Sequence, residues 1–210
     1  MIIRGDVDYR NCIIVYASDA SSGNAAKYSQ IGYELGLAKP ISKEICFDWS
    51  ILSYKSQKSK RVATSTLHSE LLGQLAGAED AVMLQSFLYE LANPALSTIQ
   101  LLKADAAQIQ PIWGITDCFD LYETLTKSTQ PVLTNKSMTL FVEAIREYKR
   151  EGRIRSFCWC DTRDNVANVL TKLTPAGLLE FPDSLTESIQ KASWKPKHTF
   201  KVEGITYSGE

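Results

Sequence analysis

The sequence predicts an α/β domain, because three strand-like stretches are followed by one long helical stripe and then by alternating strands and helices. Its 210 residues suffice for one sizeable domain, and at 44% hydrophobic and 22% charged they can bury a core without staples. That composition excludes disorder as the main state.

Asn11 to Ser18 (NCIIVYAS) is a short apolar run rich in β-branched residues that stops at Asp19, before the turn-forming Ala20-Ser21-Ser22-Gly23-Asn24. Lys27 to Leu37 and Glu44 to Tyr54 alternate loosely, so three consecutive strands form an antiparallel meander. From Ser65 the period changes: Leu67, Leu71, Leu75, Ala78 and Val82 recur at helical steps. Ser65 or Thr66 is the expected N-cap, and Asn93-Pro94 stops the helix near Leu91. A second helical stretch spans Ala95 to Gln108. Pro111 to Thr116 is a compact strand ending at Asp117, with a helix at Phe119 to Lys127, a loop at Ser128 to Lys136 and a helix from Ser137 to Glu151 closed by Gly152. Arg153 to Cys160 is the next strand, and Asp164 to Lys172 has helical spacing. The expected organisation is one domain over residues 1–180 and a basic and polar extension over 181–210.

Charge narrows the function. Against 23 Lys plus Arg stand 24 Asp plus Glu, a net charge of -1, so any attraction for a polyanion must be local. Five cysteines at 12, 46, 118, 158 and 160 form no paired framework, and Met1 opens no signal-peptide pattern, which reads as an intracellular, reduced protein. No apolar run approaches the roughly 20 residues of a membrane span, so no membrane partner is expected.

Carboxylates carry most of the chemical information. An acid at a strand end is rigidly held yet accessible, and two on neighbouring strands can converge on one divalent cation. Asp19 and Asp117 are such acids. Glu70 lies about 60° to one side of the Leu67–Leu71 stripe, on the rim of the packed face, where it can lean toward them. Cys158-x-Cys160 is read as two buried thiols rather than a zinc site, and His68 as a surface histidine. Trp113 and Trp159 are read as core, while Trp194 either touches nucleic acid or fastens the tail. Lys55, Lys58, Lys60 and Arg61 fall within seven residues, and Arg146, Lys149, Arg150, Arg153 and Arg155 within ten; either group can meet phosphates. The second also suits a helix C-terminus.

The order SDAS (18–21), VATSTLHSELLGQLAGAEDAV (62–82), ITDCFDLYETL (115–125) and FCWCDTRDNVANVLTK (157–172) resembles the ribonuclease H domain of copia-type LTR retrotransposon polyproteins, over approximately residues 11–178. The resemblance implies a ribonuclease H-like fold, a five-stranded mixed sheet flanked by helices. It also implies a four-carboxylate site for two Mg²⁺ ions, for which Mn²⁺ can substitute, and no small-molecule organic cofactor. Position by position, Asp19 is its first acid and the one bridging both ions, Glu70 the helical acid and Asp117 the strand-end acid. Asn168 stands where the fourth aspartate is expected, before x-x-Thr-Lys. An amide oxygen ligates without offsetting charge, and a lost ligand should cost at least the roughly 10- to 100-fold of a lost supporting group. Three explanations stay open: engineered inactivation, natural loss, or tolerance because Asp164 lies one helical turn earlier.

The implied reaction is metal-dependent hydrolysis of the RNA strand of an RNA–DNA hybrid, with Ser21, Lys55, Lys58, Lys60 and Arg61 contacting nucleic acid. The implied partner is the reverse transcriptase polymerase domain of the same polyprotein, and the implied location the cytoplasm, within a virus-like particle. A start near the first strand fits an excised domain. Two other readings stand beside it: a catalytically silent nucleic-acid-binding or assembly module, and a different polynucleotidyl transferase of the same fold, such as an integrase or resolvase.

Overall fold

The computed structural model describes residues 11–21, 29–40, 47–97, 99–100, 109–129, 133, 135–172, 194, 196–203 and 205–207. The apolar, β-branched run after Asn11 becomes β1 (Ile13–Ser21), which pairs antiparallel with β2 (Gln30–Pro40), itself antiparallel to β3 (Phe47–Lys58). The predicted meander is thus present, but β1 runs past Asp19, whose backbone is still paired opposite Gly32.

The long helix α1 (Thr66–Ala92) starts where the sequence places it: the Ser65 side chain accepts the His68 N–H, and Asn93 ends it. It carries the chain across the sheet to β4 (Ile112–Thr116), parallel to β1, because parallel neighbours require a crossover. Then come α2 (Phe119–Thr126), α3 (Lys136–Arg150) and β5 (Ile154–Cys160), the last parallel to β4. Gly152, with φ 74°, closes α3 as expected. Of the stretch Ala95–Gln108, residues 98 and 101–108 lie outside the described residues.

Two expectations change. Asp164 to Lys172 is not an α-helix but two short 3₁₀ turns, Thr162–Asp164 and Val166–Leu170. Asn165 breaks them apart, because its side chain accepts the Ala167 N–H and so competes with helix continuation. The sheet has seven strands rather than five, in the order β3-β2-β1-β4-β5-β6-β7. The added β6 (Phe200–Val202) and β7 (Ile205–Tyr207) come from the C-terminal extension, and β6 pairs antiparallel with the edge that β5 would otherwise leave open.

Alternation along β1 divides the core. Ile14 and Tyr16 face α1, α2 and α3 with Leu71, Leu121, Val142 and Ile145. Ile13, Val15 and Ala17 face the other way, toward Ala167, Trp194 and Phe200. Cys158 and Cys160 are free, buried thiols on that second face, as read from their spacing. Trp194 is buried, packs edge-on against Phe200 and donates Nε1–H to the Asp164 carbonyl at 2.9 Å, so it fastens the tail.

Beneath α1 the Ser18 hydroxyl donates to Gln74 Oε1, and Gln74 Nε2 donates to the Tyr16 hydroxyl at 2.9 Å. Gly114 on β4 leaves this chain its room: a Cβ there would lie 2.5 Å from the Tyr16 hydroxyl and 2.9 Å from Gln74 Nε2. Gly114→Ala should therefore cost about 1–3 kcal/mol through overpacking. Urea unfolding measures this, and an unchanged midpoint would show that Tyr16 and Gln74 can shift without loss.

Candidate active site

Three chain segments converge at the C-terminal ends of β1 and β4. Ser18 pairs with Thr116 across the parallel ladder, so the next residues, Asp19 and Asp117, stand side by side. Glu70 comes from the second turn of α1, which lies tightly on β1: a Cβ on Gly73 would sit 3.2 Å from the Asp19 carbonyl oxygen. One carboxylate oxygen from each of Asp19, Glu70 and Asp117 lies within 4.8 Å of the others. Glu70 is more deeply placed than its expected rim position, since it and Asp19 are buried while Asp117 is half-buried.

Their environment disfavours charge. Burial, followed by repulsion from Asp19 and Asp117, pushes the Glu70 carboxyl up to about 9. Burial also lifts Asp19 to about 6, opposed by the Thr171 hydroxyl that donates to its Oδ2 and aggravated by Asp117. Glu70 Oε2 is buried without a hydrogen-bond partner. An all-oxygen donor set, crowded like charges and an orphaned carboxylate oxygen are what a hard divalent cation satisfies, so these residues fit Mg²⁺ or Mn²⁺.

Asn168 lies in the second 3₁₀ turn. Its Nδ2 donates to the Thr162 carbonyl, and its Oδ1 is buried and unpartnered. Asp164 is tied to the tail: Oδ2 accepts the His198 N–H at 2.8 Å and Oδ1 faces His198 Nδ1 at 3.1 Å. The Ser21 hydroxyl donates to the Thr171 carbonyl at 3.1 Å, bracing the same turn.

The two basic groups fare differently. Lys55, Lys58, Lys60 and Arg61 are exposed and pair with no carboxylate among the described residues. Arg61 lies 4.6 Å over the Phe141 ring. In the second group, Arg146 donates to the Thr124, Lys127 and Thr129 carbonyls, Arg150 binds Glu143 and Glu147, Arg153 pairs with Glu151 and Lys149 with Glu203. That group mostly serves the fold.

His68 departs from its reading as a surface residue. It is buried, its Nδ1 faces Thr64 at 3.2–3.3 Å, and burial and Arg61 lower its basicity. Two supporting groups carried no assigned role in the sequence. Thr171 was visible in the x-x-Thr-Lys pattern. Trp159, whose Nε1–H fixes the Asp117 carbonyl at 2.8 Å, had no local signal because the contact joins residues 42 apart.

The fold is ribonuclease H-like: a mixed seven-stranded sheet flanked by three helices. No family model matches the sequence, and no curated relative does either. Among solved structures, the chain is similar to the N-terminal ribonuclease H domain of rv2228c from Mycobacterium tuberculosis, solved as a fusion with maltose binding protein, at 15% identity and TM-score 0.46, over 86% of this chain and 99% of that one. It is similar to LC11-RNase H1 isolated from compost at 14% identity and TM-score 0.45, over 86% and 97%. To the PFV RNase H domain it is 14% identical with TM-score 0.36, over 87% and 94%. No helix among the described residues is long and apolar enough to cross a membrane.

The raised carboxyls set a pH dependence. Folded Asp19 and Glu70 hold protons that the unfolded chain has released above the ordinary carboxylate range, so the metal-free protein loses stability as pH rises through about 6 and on toward about 9. Cation binding needs the ionised forms, so the thermal shift caused by Mg²⁺ should grow over the same interval. Thermal melts at stepped pH test this; a shift independent of pH would remove these carboxylates from the cation site.

Proposed function

We propose that this chain is a metal-dependent endonuclease of the ribonuclease H type that hydrolyses the RNA strand of RNA–DNA hybrids, weakened by Asn168. The observation that carries the reading is the convergence of Asp19, Glu70 and Asp117 within 4.8 Å, with a buried, unpartnered oxygen on Glu70. Asp19, Glu70 and Asp117 would hold divalent Mg²⁺, with the Asn168 amide oxygen as an uncharged fourth donor. Bound there, the cation would supply Lewis-acid activation of water and stabilisation of charge on the phosphate.

The chain's own residues position the rest. Thr171 holds the Asp19 carboxylate and Trp159 fixes the backbone at Asp117. Lys55, Lys58, Lys60 and Arg61 offer phosphate contacts on the β3 side, without reading bases. The resemblance further assigns the domain to a copia-type retrotransposon polyprotein, beside a reverse transcriptase polymerase domain and within a virus-like particle. A silent nucleic-acid-binding module is the second reading, favoured by Asn168 itself, whose amide removes one negative charge from the cation site.

Cleavage of a labelled RNA–DNA hybrid with Mg²⁺ or Mn²⁺ separates them. Asn168→Asp should raise cleavage at least about 10-fold over the chain as it stands, in line with the loss expected for one missing ligand. Asp19→Asn in that background should abolish it. Hybrid binding without cleavage by Asn168→Asp would leave the silent module.

A further inference from the structure

A cluster of carboxylates repels the phosphates it must approach, and a duplex carries one negative charge per roughly 1.7 Å. Cations on one side alone would let the nucleic acid pivot away. The sheet register shows what lies on each side. Lys55 on β3 aligns with Tyr33, and Tyr33 with Ser18; Ser18 aligns with Thr116, Thr116 with Trp159 and Trp159 with Lys201 on β6. Asp19 and Asp117, one residue beyond Ser18 and Thr116, therefore sit next to the middle of a row that has Lys55 at its β3 end and Lys201 on β6, with Thr206 of β7 beyond it. At about 4.8 Å per strand, the five steps from Lys55 to Lys201 span about 24 Å.

Lys201 is held in an unusual way. Its Nζ lies 4.3 Å from the Phe119 ring centroid and 5.7 Å from that of Trp159, and it forms no ion pair among the described residues. Phe119 packs edge-on to Trp159 at 5.6 Å, yet keeps 38% of its surface exposed, two residues from Asp117. Rings that hold an ammonium leave its N–H donors without acceptors, whereas a carboxylate would have consumed them. Trp159 joins this wall directly to the site through the Asp117 carbonyl.

We propose that Lys201, seated on Phe119 and Trp159, contacts the phosphate backbone of the nucleic acid on the β5–β6 side of the three acids, opposite Lys55 and Lys58. The proposal rests on the nucleic-acid-binding part of the proposed function and adds a contact supplied by the C-terminal extension. Phe119 keeps the ammonium in place and offers a flat apolar surface to a sugar or base.

The test is binding of a labelled RNA–DNA hybrid, without divalent cation, over a series of salt concentrations. Lys201→Gln should weaken binding several-fold at low salt and lower the salt slope by about 1, as expected for one lost phosphate contact. Lys201→Arg should retain both affinity and slope. The thermal shift with Mg²⁺ should be unchanged in either variant, which separates a phosphate contact from damage to the acids. Lys201→Gln binding with parental affinity and slope overturns the inference while leaving the proposed function intact, and so does an Lys201→Arg variant that folds yet binds as weakly as Lys201→Gln. A parent that binds DNA duplex as tightly as hybrid, with Lys201→Gln weakening both, overturns hybrid selectivity and supports the contact. A parent that binds no nucleic acid overturns both.

Discussion

The parallel pairing of β1 with β4 is the constraint on which the rest depends. It places Ser18 opposite Thr116 and hence brings Asp19 and Asp117 together at one end of the sheet, although 98 residues of sequence separate them. Parallel neighbours demand a crossover, and α1 supplies it. Because the crossover must return over β1, its second turn passes the end of that strand, which is where Glu70 lies. Gly73 permits the approach, since a side chain there would press on the Asp19 carbonyl. A one-residue slip in the ladder would turn the acids to opposite faces and dissolve the site.

Such a convergence is costly without a cation. Buried carboxylates that share a site raise one another's proton affinity, and Glu70 carries the larger burden through its burial and then the repulsion of both aspartates. The surroundings relieve this only in part, through the Thr171 hydroxyl on Asp19 and the nearby charge of Lys172.

Most of the architecture was legible because it depends on local pattern. Ser65 as cap, Asn93 as stop and the change from twofold to helical periodicity fix α1, and the three acids stand out as two carboxylates after strand-like runs and one on the rim of the helical stripe. What stayed hidden depends on contacts between distant residues. His68 reads as a surface residue until Thr64, Arg61 and Phe141 close over it. The stretch after β5 has helical spacing, yet Asn165 spends its side chain on the Ala167 N–H and on the Ser18 carbonyl, 147 residues away. The tail reads as polar and basic, and only pairing with β5 shows Phe200 entering the core.

The turn that bears Asn168 is anchored more firmly than an idle segment requires. Asn165 Nδ2 donates to the Ser18 carbonyl at 3.0 Å, the Ser56 hydroxyl to the Leu170 carbonyl and Ser21 to the Thr171 carbonyl, binding the turn to β1 and β3. From the other side, Trp194 and His198 grip Asp164. Gly32 on β2 leaves space for Leu170, where a Cβ would come within 2.6 Å. Asparagine and aspartate have nearly the same shape, but the Asn168 amide N–H donates to the Thr162 carbonyl, a bond that an ionised aspartate could not make. The backbone of the turn is thus held from both sides, and what residue 168 adds depends on its side chain.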